Sequence, residues 1–179
     1  PTLGRELLEK TFVAAAIAAV AILLFVAWSF KNIRYGVSAV IALVHDILVV
    51  IGVFAILGQV RGVEVDSLFV TAVLTTMSFS VHDTIVVFDR IRENQKKNPG
   101  VNFGHLVNQA LTETMSRSLN NSLTIIFMLL ALFLMGGETI RYFVLALLIG
   151  TISGTYSSPF VAAPILYSWS HLRKRRTRV

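Results

Sequence analysis

Hydrophobic residues are grouped along the chain in five long blocks, separated by short polar segments. Each block has about 20 residues, the helix length that crosses a hydrocarbon layer of about 30 Å. A closed barrel would instead need short strands of alternating polarity, with closely spaced turns. The pattern therefore predicts five transmembrane helices, over 11–30, 35–58, 68–88, 119–136 and 140–169.

A weaker apolar periodicity lies between the third and fourth blocks. After the turn-forming residues 98–100, apolar side chains recur at helical spacing, which predicts an amphipathic helix over 103–116. This helix lies at the membrane surface or, as an equal alternative, packs against other protein. The predicted fold is all-α: a polytopic membrane helix bundle, 1–179, with five transmembrane helices and one cytoplasmic interfacial helix. The periodic residues are Phe103, Leu106, Val107, Ala110, Leu111 and Met115.

The fifth block is about 30 residues long, which is more than one span requires. Pro159 and Pro164 are predicted to bend this helix or to end its regular part. Small residues repeat every four positions in the block, and such a stripe lets another helix approach closely. We expect Gly150 and Gly154 to pack within the bundle, and a groove for an outside partner is the alternative. The stripe consists of Ala146, Gly150, Gly154, Ser158 and Ala162.

Composition supports a membrane protein. Hydrophobic residues make up 55% of the 179 residues and charged residues 15%, more apolar surface than a soluble domain of this size buries. The absence of cysteine excludes disulfides, thiolate chemistry and cysteine metal sites. The sequence begins with Pro rather than Met and shows no signal peptide, so we interpret it as a fragment or a processed product.

Basic residues are unevenly divided between the two sides of the predicted membrane. One side carries 12 of the 16 Lys and Arg residues, and the other carries Arg5, Lys10, Arg61 and Arg141. The positive-inside rule then places the N-terminus outside and the C-terminus in the cytoplasm. Topology, and contact of the basic tail 171–179 with anionic lipid, account for the net charge of +6. No nucleic-acid partner is predicted, although contact of the tail with ribosomal RNA is the alternative.

Two apolar blocks contain the same dipeptide, His45-Asp46 in the second and His82-Asp83 in the third. At the helical rise, Asp46 lies about 16 Å and Asp83 about 9 Å from the cytoplasmic end of its block. An ionised side chain inside the membrane costs at least about 3 kcal/mol. Burial favours the neutral carboxyl group, and a group held near this balance can take up and release a proton.

Other roles for these residues are open. As an equal alternative, Asp46 only forms hydrogen bonds between helices. His45 and His82 need not share a helix face with the neighbouring aspartates, and each then makes an ordinary polar contact. Metal binding by the two dipeptides is a third interpretation, but adjacent His-Asp on a helix is a weak ligand spacing. We therefore predict no metal site.

Arg117 is the predicted partner of Asp83. It precedes the fourth block on the same, cytoplasmic side, and an arginine within about 6 Å favours an ionised carboxylate. Asn121 lies one turn deeper, and Asn120 and Thr124 form an adjacent polar row. These residues predict a polar strip that leads into the membrane, with Asp83 and Arg117 as a proton-coupling pair. No catalytic residues are predicted, so the chain is not expected to be an enzyme.

Several segments resemble a known family. The stretch VHDTIVVFDRIREN closely resembles the signature of SecF, in the SecD/SecF protein-export family of the resistance-nodulation-division superfamily. PTLGRELL before the first block, ALVHDILVVIG in the second and SRSLNNSLT before the fourth are also similar to SecF. The family's essential acid and arginine correspond to Asp83 and Arg117.

The resemblance implies a role in a prokaryotic inner or plasma membrane, where the proton motive force drives late steps of protein export. The implied partners are SecD, the SecYEG channel and the exported unfolded polypeptide, with YajC and YidC as further possibilities. Protons are the implied coupling ion, and no other cofactor is expected. Family members have one more span and a large extracytoplasmic domain before this region, so the chain corresponds to the last five of six SecF spans. A proton-coupled small-molecule exporter of the same superfamily is the alternative function, and a metal transporter is a third.

Overall fold

The computed structural model describes the backbone of residues 2–176 and the side chains of residues 9–10 and 12–170. Within this part of the chain the regular structure is entirely helical, and five helical stretches are long and apolar enough to cross a membrane. The predicted all-α membrane bundle is thus confirmed. The side chains of the basic tail 171–179 lie outside the described residues. The helices are α1 (Thr2–Phe30), α2 (Ile33–Arg61), α3 (Ser67–Lys97), α4 (Phe103–Met135), α5 (Glu138–Ser157) and α6 (Ala163–Arg176).

Short polar caps define where α2 and α3 begin and end. The Asn32 side chain accepts a hydrogen bond from the backbone N–H of Arg34 at 3.1 Å, and Asp66 accepts one from Phe69 at 3.0 Å. Each cap satisfies one of the free N–H groups at a helix start. Gly62 ends α2 with φ +64°, a left-handed conformation that glycine adopts without strain. The connections between the first three helices are short as a result.

Helix α3 is the centre of the bundle, since it packs against α1, α2, α4 and α5. Its contact with α5 is the closest, because glycines of α5 face hydroxyl residues of α3. A β-carbon added to Gly154 would lie 3.1 Å from the β-carbon of Ser80, and one added to Gly150 would overlap Thr76. The small-residue stripe of α5 therefore packs inside the bundle, against α3.

The amphipathic segment predicted over 103–116 is helical, but it is not a separate helix. It forms the first half of α4, which continues without a break into the fourth apolar block because no glycine or proline interrupts residues 105–135. Its apolar face is buried on protein, with Leu106 2% and Ala110 0% exposed. Ala110 belongs to a cluster with residues of α3 and α6. Of the two alternatives, the structure has the helix packed against protein.

The regular α-helix of the fifth block ends at Ser157, just before Pro159, as one of the two predicted alternatives had it, but the chain stays helical beyond it. Residues Ser158–Ala162 form a π turn between α5 and α6, in which the N–H of Ala163 donates to the carbonyl of Ser158, five residues back. Proline lacks an N–H group, and its ring crowds the carbonyl four residues before it. A wider turn accommodates Pro159 and lets α5 and α6 follow one another along a single path through the bundle.

Candidate functional site

Asp83 is buried in the middle of the bundle, with a side chain that is only half satisfied. The residue is 6% exposed, and its Oδ1 accepts a hydrogen bond from the Ser118 hydroxyl of α4 at 2.6 Å. Its Oδ2 is buried and has no hydrogen-bond partner among the described residues. A buried carboxylate oxygen without a donor is costly when ionised, so this group is suited to gaining and losing a proton.

The inward face of α4 is set by residues four apart. Thr114 and Ser122 are buried and Ser118 is half-buried, so these three line the side of α4 that faces α3. Neighbouring residues on a helix point about 100° apart. Arg117 therefore lies off this face and is exposed, and the structure has no ion pair between it and Asp83 among the described side chains.

The predicted polar strip of α4 also lies on the outer surface. Asn120, Asn121 and Thr124 are exposed together with Arg117, and the Thr124 hydroxyl donates to the Asn120 carbonyl of its own helix at 2.8 Å. The structure thus brings Asp83 together with Ser118 and leaves the strip facing away from the bundle. The difference arises because the strip and Ser118 occupy different faces of one helix.

Asp46 is buried deeper, in a cage of hydroxyl groups. Its Oδ2 accepts hydrogen bonds from Ser80 at 2.5 Å and Ser157 at 2.6 Å, and its Oδ1 accepts one from Ser153 at 2.7 Å. Nδ1 of His45 lies 3.1 Å from the same Oδ1. The residue is 4% exposed and connects α2 with α3 and α5. The interhelical hydrogen bonding that we weighed for Asp46 is therefore present.

The two predicted histidines have different surroundings. His45 is half-buried beside Asp46, and its ring lies 6.4 Å from that of Tyr156. His82 is exposed on the outer side of α3, and no side-chain hydrogen bond joins it to another described residue. No cluster of three or more His, Cys, Asp or Glu side chains suited to a metal ion occurs among the described residues.

Two further hydroxyls lie next to Asp83. The Thr84 and Ser158 hydroxyl oxygens are 3.0 Å apart, linking α3 to the π turn, and Ser158 also donates to the Gly154 carbonyl at 3.2 Å. On the other side of Ser118, a cavity of about 260 Å³ separates α4 from α5 and the π turn. Its lining is mainly apolar, including Leu119, Ile126 and Ile152 among others, and Ser118 is one of its few polar groups.

At the C-terminal end of α3 and the N-terminal end of α4, charged and amide side chains join the two helices. Glu113 of α4 accepts from Arg90 at 2.5 Å and from Asn94 at 3.1 Å, both on α3. Arg90 also donates to Glu93 at 2.5 Å, and Gln109 donates to Glu113 at 2.8 Å. We call Arg90, Glu93, Asn94, Gln109 and Glu113 the charged cluster. It fixes α4 to α3 near the point where both leave the apolar region.

Sequence reasoning identified both buried aspartates but missed the hydroxyls that surround them. Serine is common in transmembrane helices, so Ser118 and Ser80 carried no signal of their own. The available signal was the spacing of Ser153 and Ser157, which are four residues apart and therefore lie on one face of α5. Reading it would have required knowing which helix α5 packs against.

Residues 1–172 match the family described as protein export membrane protein SecD/SecF, C-terminal. The chain belongs to the SecD/SecF protein-export family. A chain named protein translocase subunit SecF from Thermobaculum terrenum is 55% identical over 175 residues, covering 96% of this chain and 55% of that relative. A SecF from Anaerolinea thermophila is 46% identical over 174 residues, covering 94% of this chain and 56% of the relative.

A solved structure of a SecD/SecF family member has the same fold. The crystal structure of SecDF from Thermus thermophilus, described as a translocon-associated membrane protein, superposes with a TM-score of 0.86 and 37% identity. The match covers 96% of this chain and 23% of that one. With five apolar helices, this SecD/SecF family chain is a multi-pass membrane protein. It spans about half the length of the SecF relatives that it matches.

Proposed function

We propose that this chain is the membrane part of a SecF subunit, which uses the proton motive force to promote export of unfolded polypeptides through the SecYEG channel. The names of its relatives, translocase subunits SecF and SecDF, support a role in export. The observation that carries the proton-coupling part is Asp83. Its carboxyl group is buried in α3, has one hydrogen-bond donor, and has one oxygen without a partner in the described chain.

The proposed cycle alternates between two protonation states of Asp83. When protonated, the carboxyl group needs no counter-charge, and the Ser118 hydroxyl suffices as its partner. When ionised, it requires a stronger donor, and Arg117, the residue just before Ser118 on α4, can supply one. A rotation of α4 by about 100°, or an equivalent shift of the part of α4 around Ser118, would bring Arg117 to Asp83 in place of Ser118. Protonation of Asp83 would in this way be converted into movement of α4 against α3.

The direct test replaces Asp83 with asparagine in the full-length protein. Asp83→Asn has the shape of the neutral acid but cannot lose a proton, so we expect stimulation of export by the proton motive force to fall to the level without it. The measurement is import of a secretory protein into inverted membrane vesicles, with and without a proton motive force. The amount of assembled subunit in the membrane is the control. Full stimulation by the Asp83→Asn protein would contradict this function.

We also propose that the C-terminus lies in the cytoplasm. The distribution of Lys and Arg residues supports this orientation, with 12 of 16 on that side. The chain has no cysteine, so a single Val179→Cys substitution gives an unambiguous label within it. We expect a membrane-impermeant thiol reagent to label it in inverted vesicles and not in right-side-out vesicles. The opposite pattern would reject the orientation.

A SecD protein is the proposed partner in the membrane. Relatives in which both parts form one chain, named SecDF, support this pairing. The outer surfaces of α3 and α4 support it as well, because each carries polar residues within an apolar span or at its end. On α3 these are Thr71, Thr75, Ser78 and His82, and on α4 they are Arg117, Asn120, Asn121 and Thr124, all exposed. We call these residues the outer polar rows. Polar groups facing lipid are unfavourable, and helices of a partner would cover them.

A further inference from the structure

Asp46 has no part in the proposed proton-coupling cycle, yet both of its carboxyl oxygens have two hydrogen-bond partners each. Three serine hydroxyls and one histidine nitrogen lie at 2.5 to 3.1 Å from its two oxygens. The donors come from three helices, His45 from α2, Ser80 from α3, and Ser153 and Ser157 from α5. A buried polar group without partners is costly, so these contacts stabilise the position of Asp46 between the three helices.

The hydroxyls of α5 show that these bonds are not the default for the helix. Thr151 and Thr155 donate to carbonyl oxygens of their own helix, those of Leu147 and Thr151, both at 2.8 Å. That is the ordinary arrangement of a hydroxyl inside a transmembrane helix. Ser153, between them, donates instead across the bundle to α2. The carboxylate of Asp46 thus holds α5 to α2 at this level.

The same bonds reach the turn of α3 that carries Asp83. Ser80 precedes Asp83 by three residues, a rise of about 4.5 Å along the helix. Ser157 adjoins Ser158, whose hydroxyl is 3.0 Å from that of Thr84. Gly154 approaches α3 closely at Ser80, the first of these two contacts. The α3 turn around Asp83 is therefore joined to α5 at two points, through Ser80 and Asp46 before Asp83 and through Thr84 after it.

Helix α4 is attached differently. Among the described side chains, its hydrogen bonds to other helices are the one from Ser118 to Asp83 and those of the charged cluster. The cavity beside Ser118 separates it from α5 at this level. At the depth of Asp83, one side-chain hydrogen bond therefore joins α4 to the frame built from α2, α3 and α5, and the rest of its attachment there is packing against α3 and α5.

We propose that Asp46 is a positioning residue for Asp83. Its serine contacts clamp α3 to α5 one turn from Asp83, so that a change at Asp83 moves α4 and leaves the α2–α3–α5 frame in place. The serine contacts that form the clamp are geometric and stand by themselves. Their effect on proton coupling rests on the proposed function. The other ionisable side chains of the apolar stretches, tyrosines aside, are His45 and His82. Arg117 and Arg141 lie at the ends of the stretches.

The clamp is measured directly by cross-linking α3 to α5. Cysteines replacing Thr84 and Ser158 would stand where two hydroxyl oxygens are now 3.0 Å apart, which suits disulfide formation. The full-length protein in its native membrane complex, with any other cysteines replaced, is oxidised with copper phenanthroline. The rate of disulfide formation between the two positions is the readout, because it depends on how firmly the two helices are held in register.

Three substitutions are compared in this background. Asp46→Leu removes all the acceptor positions while keeping an aliphatic side chain of similar shape, and we expect the rate to fall about fivefold. Asp46→Asn keeps one acceptor oxygen and should give an intermediate rate. Thr151→Val is the matched control, since Thr151 is also buried on α5 but bonds only to its own helix. It should leave the rate unchanged.

A second readout separates positioning from general stability. In the protein without added cysteines, we expect Asp46→Asn to shift the pH of half-maximal stimulation of export by about half a unit or more. If Asp46→Leu does not assemble, Ser153→Ala removes a single donor, and Ser153→Thr restores the hydroxyl and should restore the rate. Equal cross-linking rates in the parent, the Asp46 variants and the Ser153→Ala variant would overturn the clamp. If Asp83→Asn left export unchanged, the proposed function would fail, while the cross-linking rates would still decide this inference.

Discussion

Arg117 and Ser118 are neighbours in sequence, yet only one of them touches Asp83. Ser118 donates to the carboxyl group, and Arg117 is exposed on the next face of α4. A hydroxyl is an adequate partner for a neutral acid, and an arginine is the better partner for an ionised one. In the proposed cycle, the observed contact with Ser118 belongs to the state in which Asp83 is protonated, and Arg117 acts in the state in which Asp83 is ionised.

Substitutions at Arg117 should therefore affect coupling and leave the observed fold unchanged. We expect Arg117→Ala to abolish stimulation of export by the proton motive force, because the ionised state of Asp83 then has no counter-charge. Arg117→Lys should retain part of it, since lysine keeps the charge but lacks the planar fork of donors. Vesicle import assays give the measurement. His82→Ala, also exposed but without a role in the cycle, is the control and should do less harm; equal loss in all three would argue against a specific role for Arg117.

The site could be predicted from the sequence only in part. Asp46 and Asp83 stand out because a charge inside an apolar block is costly and rare. The serines do not, because each has a satisfactory alternative on its own helix, as Thr151 and Thr155 illustrate. Whether a hydroxyl bonds within its helix or across the bundle depends on the packing of helices far apart in sequence. That information is absent from local spacing.

At the level of helices, the contact between α3 and α5 depends on the absence of side chains. Gly150 faces Thr76 and Gly154 faces Ser80, and no room remains for a β-carbon at the first position. Dispersion and hydrogen bonding hold transmembrane helices together, because lipid and protein interiors are similarly apolar. Close approach here is thus a requirement for the serine contacts of Asp46 as well as for packing.

Filling this contact should destabilise the bundle. We expect Gly150→Val to lower stability by about 1 to 3 kcal/mol, as overpacking of a close interface typically does. The measurement is the midpoint of thermal unfolding of the purified protein in detergent. Gly52→Val is the matched control, because Gly52 lies in the middle of α2 with open space around its α-carbon. Equal midpoints for the two variants would show that the α3–α5 contact is more adaptable than the structure indicates.

Hydropathy predicted the helices but not how they continue. The apolar blocks identify the spans because length and composition alone determine whether a segment crosses a membrane. The continuity of α4 from 103 to 135 was missed because the polar residues around Arg117 resemble a connection between two elements. The π turn at Ser158–Ala162 was missed because proline usually bends or ends a helix, and only the surrounding packing reveals that the chain passes through a wider turn.

At the scale of the whole molecule, polar side chains within the apolar stretches lie in two places. Inside the bundle are Asp46, Asp83 and their hydroxyls, and outside are the outer polar rows of α3 and α4. Ser78 and His82 make no side-chain hydrogen bond within the described chain, and neither do Arg117 and Asn121. In an isolated bundle the outer polar rows would face lipid, which is unfavourable for polar side chains. We expect the surface to be covered in the assembled protein.

Cross-linking can locate the covering helices. We expect a cysteine at Ser78, near the middle of the α3 row, to be cross-linked to the SecD part of the complex by a short bifunctional thiol reagent. Ser78 is chosen because it is exposed and belongs to the polar row of α3. A cysteine at Leu48 on α2, 63% exposed and also central in its span, is the control and should face lipid without cross-linking. Cross-linking from Leu48 and not from Ser78 would place SecD against α2 instead of α3 and would contradict this proposal.

The π turn has one more consequence, for changes in chain length. A π turn holds one residue more than an α-helix needs to cover the same path, so it acts as an insertion that the fold has absorbed. Loss of one residue within 158–162 would convert the turn to ordinary helix, while Gly150 before it and Leu166 after it would keep their neighbours. The same loss in α3, between Ser80 and Asp83, would turn Asp83 by about 100° away from Ser118. Single-residue deletions at these two places should accordingly differ sharply in thermal stability, although both lie within apolar helical stretches.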